Sequence, residues 1–192
     1  MAPLPPLPAD LPPATRAAIE RNTSSRAHAE GRAELSEVYA ALFHDPGVAG
    51  RVSDLGEEIR FHGTLPDDVR ELVILRYAVR MGFTYEWSHH QRPAQLAGLD
   101  PAVVAELASG AVPQALRPDQ RAALQAVDAV AAGRSIPADV QAAIVEAHGT
   151  AGAVEVVAVC GLYAVMGYVV TSFELPLEEG FPVAPFTAPV RD

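Results

Sequence analysis

The sequence predicts an all-α domain with extended arms at both ends. Apolar residues recur at three-to-four-residue spacing along most of the chain, strand-like alternation is nearly absent, and prolines crowd residues 1–13 and 175–192. At 192 residues and 49% hydrophobic content, one domain spanning 1–192 can bury a substantial core.

The elements follow in order. "MAPLPPLPADLPPATR" has neither a basic leader nor a continuous apolar run, so it reads as an extended proline-rich arm rather than a secretion signal. "PATRAAIERN", "GRAELSEVYAALF" and "GVAGRVSDLGEEIRF" read as helices, with breaks at Ser24 and Ser25 and at "HDPG". "GTLPDDVRELVILRYAVRMG" is the best-marked helix: Thr64 suits the cap, Pro66 the first turn, Asp67 and Asp68 the positive end of the dipole, and Gly82 the stop. Thr84 is then placed to cap a helix reaching Leu96, in which Pro93 is expected to kink or break the run. Shorter helices are expected at 101–107, 118–132 and 137–147, and an apolar one at 154–171. The sum is about seven to nine helices. The arms carry apolar residues, among them Leu4, Leu7, Phe181 and Phe186, which suits packing on a neighbouring subunit.

A net charge of -10 and a pI near 5.0 argue against nucleic-acid and anionic-membrane partners, since no basic patch interrupts the acidic balance. The single cysteine, Cys160, excludes an internal disulfide or a dithiol pair, and a reducing cytoplasm is the simplest location. Residues 151–173 are long and apolar enough to span a bilayer, but Glu155 and the lack of arginine flanks favour a helix buried in a bundle or at a subunit contact.

The chemistry-bearing stretch is "YEWSHHQRPAQLAGLD". On a helix, Glu86 and His90 stand four apart on one face, and His89 lies one position round. A carboxylate beside an imidazole orients it for proton transfer near neutral pH, and a first-turn Glu86 is expected to be ionised. Spacing alone leaves open whether the trio works or caps a helix. Glu86-x-x-His89 is half of a di-iron motif, but no second copy occurs and no metal is expected. Glu71 is the one acid in the run "ELVIL" and needs a partner if buried. In a simple hairpin around Gly82, however, His90 falls level with Leu75, Arg76 and Val79, about one turn short of Glu71. Arg76 and Arg80 read as salt-bridge or anion-binding residues, His62 as a loop residue near a cleft, and Cys160 as inert.

"GTLPDDVRELVILRYAVRMGFTYEWSHHQRPAQLAGLD", with "VEVVAVCGLYAVMGYVVTSFELP" further on, resembles the carboxymuconolactone decarboxylase family within the alkylhydroperoxidase-D-like superfamily, over about residues 35–176. The resemblance implies a helical homo-oligomer, commonly a trimer or hexamer, a pocket near subunit contacts, and no metal or organic cofactor. It places the peroxidase branch's two redox cysteines at Phe83 and Glu86, so disulfide exchange is lost here. It also gives Glu71 and His90 counterparts in that branch, and Glu86 and His90 counterparts in the decarboxylase branch. The expected function is cofactor-free decarboxylation, isomerisation or lactone chemistry on a small carboxylated or enolisable molecule. His90 is expected to transfer the proton, Glu86 to orient it, and Glu71 to support the pair. His89, Tyr85, Arg76, His62 and Trp87 are the expected substrate contacts. A non-catalytic binding oligomer, and a metal enzyme using Glu86, His89 and His90, are the alternatives.

Overall fold

The computed structural model describes residues 4–30 and 34–187; the ends of both expected arms and the first residues of the second expected helix lie outside them, as does the His28 side chain. Eight α-helices and one π-helical turn, with no strand, make up the regular structure of the described residues: α1 (Pro13–Glu30), α2 (Glu37–Leu42), α3 (Pro46–Glu57), the π turn (Glu58–His62), α4 (Asp67–Met81), α5 (Thr84–Leu96), α6 (Pro101–Ala108), α7 (Pro118–Ala131) and α8 (Ala138–Ser172).

Local chemistry sets most boundaries. Asp45 accepts from the Gly47 and Val48 amides ahead of Pro46, and Asp100 from the Ala102 amide ahead of Pro101, so both helices start on a capped aspartate and a proline. Gly82 closes α4 in the left-handed conformation (φ 71°, ψ 27°), as the sequence predicts. Other details differ from expectation. The α1 helix runs through Ser24 and Ser25, and Thr64 does not cap α4: its amide and that of Leu65 bond to Glu155 on α8. Thr84 is the first helical residue after Phe83 rather than the cap. Pro93 sits inside α5 without ending it; only the one bond its missing N–H would have made is lost.

The centre of the bundle is α4, in which every residue from 69 to 78 is buried. It packs on α5, α7 and α8, so a helix apolar on most sides is surrounded on most sides. Gly149 (φ 71°, ψ 176°) divides α8 into the two helical stretches the sequence suggests. By length and composition α8 is apolar enough to cross a membrane; 39% of its most apolar stretch is buried, its inner face against α4 and α7.

The described parts of both arms fold back on their own chain rather than standing free. Leu7, Leu175, Leu177 and Phe186 pack against the core, and His44 Nε2 donates to the Pro5 carbonyl at 3.0 Å. These four side chains are partly removed from water by contacts within the same chain.

Candidate functional site

His90 and Glu71 meet. His90 Nδ1 and Glu71 Oε2 are 2.7 Å apart, with the carboxylate 1% and the imidazole 6% exposed. The side-by-side hairpin is therefore corrected. Side chains lean toward the N-terminus of their own helix, so in that hairpin Glu71 would lean away from the turn and His90 toward it. Their contact requires α5 to cross α4. Burial alone would raise the Glu71 pKa, but the attraction and hydrogen bond of His90, with the charges of Arg60 and Arg70, hold it below the usual carboxylate range. An ionised Glu71 can only accept, so the proton of this bond sits on His90 Nδ1 and leaves Nε2 as the nitrogen that exchanges a proton with a bound molecule. Tyr163 of α8 meets the imidazole edge-on, ring centroids 4.9 Å apart.

Glu86 departs from both of its expected roles. It does not orient His90, and it is not held ionised by the first turn of α5. Burial raises its pKa to about 8, with the nearby negative charge of Glu178 adding to the rise and its own backbone N–H opposing it. At neutral pH Glu86 is a carboxylic acid. Its Oε2 is fully buried and has no hydrogen-bond partner.

His90 and Glu86 line one small cavity with Arg60, Tyr39, Tyr85, His89, Tyr163 and Met166, holding about 40 Å³. That is room for a few waters. At its rim the C-terminal tail packs on two of its wall residues, Tyr85 and His89. Glu178 accepts from Tyr85 Oη at 2.6 Å and from the Glu37 amide at 2.8 Å, and faces His89 Nε2 at 2.8 Å. Phe181 stacks on the far side of His89 (3.8 Å between centroids), and Tyr85 stacks on the near side (4.3 Å). Partial burial pushes the Glu178 pKa up, but the bonds from His89, Tyr85 and the Glu37 amide outweigh it and bring it to about 2. The Tyr85 phenol is raised, by burial and by its bond to Glu178.

Three expected substrate contacts fall elsewhere. Arg76 is 2% exposed and fully engaged in structure, with two bonds to Asp128 and others to the Gly110 and Ala111 carbonyls. A guanidinium on the face of α4 toward α7 clamps those elements and not the pocket. His62, at the end of the π turn, borders a different cleft with Glu155 and Thr150. Trp87 is 1% exposed against Phe186, on another face of α5. Nor do Glu86, His89 and His90 form one ligand set: His89 faces the rim and His90 the floor, and no three such side chains converge among the described residues. Cys160 is buried, which pushes its thiol up to about 12.

Sequence reasoning missed Arg60, which lines the pocket, and Glu178, which bonds to the wall residues Tyr85 and His89. In "EEIRFHG" the π turn inserts an extra residue per turn and buries Ile59 and Arg60 together, a register no α-helical periodicity shows. Glu178 is one of two adjacent acids in a proline-rich tail and reaches Tyr85 across 93 positions.

The fold is an all-helical bundle with a buried glutamate–histidine pair on consecutive helices. Residues 46–129 match the model of the Carboxymuconolactone decarboxylase family. Solved structures share the fold. The debrominase Bmp8 superposes with a TM-score of 0.73 in a variant complexed with 2,3,4-tribromopyrrole (14% identity, 93% of this chain, 95% of that one). Its apo form gives 0.72 (15% identity, 91% of each chain). ATU0492 from Agrobacterium tumefaciens, a protein of unknown function proposed as an antioxidant defence protein AhpD, gives 0.59 (20% identity, 70% of this chain, 94% of that one). No curated protein sequence matches this one.

Proposed function

We propose that the pocket carries out cofactor-free acid–base chemistry on a small carboxylated or enolisable molecule. The observation that supports this reading most is a pair of buried carboxyls driven to opposite states within one site: Glu71 ionised against His90, Glu86 protonated beside it. His90 Nε2 takes a proton from carbon and the electron pair moves into an adjoining carbonyl, whose developing negative oxygen accepts from the Glu86 O–H. In decarboxylation the carbon–carbon bond breaks instead, carbon dioxide leaves, and the enolate carbon takes its proton from His90 or Glu86. Bmp8 holds a small ring, 2,3,4-tribromopyrrole, in this fold, and a substrate of that size is part of the proposal.

The test is turnover against candidate lactone and keto acids. His90→Ala is expected to lower kcat by roughly 10²–10⁴-fold while circular dichroism stays native. Ligand binding without conversion in the wild type would instead make the protein a binding module. The proposal extends to a cytoplasmic homo-oligomer. Val154, Val157, Val165 and Tyr168 form an exposed apolar stripe along α8 at helical spacing, which a second copy would cover. Light scattering reporting a monomer would remove that part.

A further inference from the structure

The cavity that holds Glu86 and His90 measures about 40 Å³. A cavity that takes benzene measures about 150 Å³, so a wall must give way before a ring enters. Burial shows which one. Every residue lining the cavity is buried except Ser36, just before α2, and His89 on α5, so the side nearest solvent runs between those two. Glu178 spans that side. It accepts from the Glu37 amide, next to Ser36, at 2.8 Å, and on α5 it accepts from Tyr85 Oη at 2.6 Å and faces His89 Nε2 at 2.8 Å.

We infer that the C-terminal tail is a latch on the cavity mouth: Glu178 fastens the start of α2 to Tyr85 and His89, Phe181 pins the His89 ring, and a molecule enters when the tail lets go. The inference rests on reading this cavity as the reaction site.

The tail is built to release. Glu174, where the chain leaves α8, has φ 51°, the one positive value at a residue other than glycine among the described residues, and Gly180 has φ 89°. These two left-handed joints bracket Glu178. The tail also bridges α5 instead of packing along it. Open clefts of about 610 and 370 Å³ lie between them, one bordered by Ser88, Arg92 and Phe181, the other by Trp87, Gln95 and Val183. Lifting such a segment breaks side-chain contacts and little regular structure. The larger walls have no such freedom, because α5 and α8 both pack on α4, and moving either would open the core. Of the two latched side chains His89 is the freer to turn outward, since the Val38 backbone also bonds Tyr85.

The experiment measures access to His90 in the full-length protein with diethyl pyrocarbonate, an imidazole reagent larger than benzene, each labelled histidine being followed by mass spectrometry. In the wild type His90 is expected to react far more slowly than the exposed His62. Glu178→Ala and Phe181→Ala are each expected to raise the His90 rate, by on the order of 10- to 100-fold for Glu178→Ala, whose lost charge-assisted bonds oppose opening. Glu178→Gln keeps an oxygen for Tyr85 and the Glu37 amide and should give a smaller rise. His148, with 8% of its side chain exposed beside Asp119, should keep its wild-type rate. A rise shared by His148 is general loosening and counts against the latch. A wild-type His90 rate equal to that of His62 overturns the inference, as does an unchanged His90 rate in folded Glu178→Ala and Phe181→Ala. If Glu178→Ala does not fold, Phe181→Ala, a substitution in the partly exposed coil, decides. Access is read without turnover, so the latch can stand where the acid–base reading fails, and the reverse.

Discussion

The floor and the rim of the pocket are both built around a carboxylate bonded to a histidine at under 3 Å, and they differ in almost everything else. At the floor, Glu71 and His90 stand 19 positions apart on two helices locked into the core, and the pair is almost wholly buried. At the rim, Glu178 and His89 stand 89 positions apart, and the acid rides on a tail without regular structure. A pair fixed by packing suits a group that must hold its orientation through a reaction. A pair supplied by a coil suits a closure that opens, because few backbone hydrogen bonds resist its departure.

The largest expected effect comes from breaking the floor. Glu71→Gln leaves His90 without its anionic partner, and we expect a stability loss of about 3–5 kcal/mol in urea melts together with loss of turnover. The pH dependence has a definite sign. The Glu71 pKa lies below 4.5 in the folded chain, so its contribution is complete above that value and is lost as pH falls through the folded pKa. Glu71→Gln should therefore flatten the acid limb of the stability profile, and an unchanged limb would mean the pair contributes nothing.

Glu86 responds in the opposite direction. Its folded pKa of about 8 exceeds the unfolded 4.5, so the native state keeps a proton that the unfolded chain has released. Stability should fall as pH rises from 4.5 to 8 and level off beyond. Glu86→Gln should remove that slope, and it should also remove the alkaline limb of kcat near pH 8, where the wild type loses its acid.

A smaller effect tests whether the rim speaks to the floor. Glu178→Gln takes away a negative charge that helps keep Glu86 protonated, so the alkaline limb of kcat should move to lower pH while circular dichroism stays native. A limb that stays in place would separate the two regions altogether. Smallest of all is Cys160→Ser, which should leave turnover and peroxide handling unchanged, since the thiol is buried and protonated.

The floor and rim also divide what the sequence reveals. The helix at 67–81, its glycine stop and the helix carrying His90 were legible because caps, dipole acids and apolar spacing are local signals. The Glu71–His90 contact was not, because a crossing angle depends on how α4 is enclosed by α7 and α8. Arg76 misled for the same reason: nothing near it in sequence announces Asp128, 52 positions on. Glu86 was placed correctly on its helix but assigned the wrong charge, since burial, which spacing does not show, outweighs the dipole. The rim was invisible, as the tail carries no periodicity that points to Tyr85 or His89.

Gly167 on α8 makes room for an aromatic ring. A Cβ there would overlap the ring of Phe83, which also packs edge-on to Tyr77 and Tyr168. Phe83 stands where the resemblance places one redox cysteine of the peroxidases. In this chain the position holds a ring seated on a glycine and flanked by two tyrosines. Introducing cysteines at 83 and 86 would supply two thiols but empty a packed volume, at about 3 kcal/mol or more for lost aromatic packing. A dithiol could be accommodated here only if α8 were rebuilt at the same time.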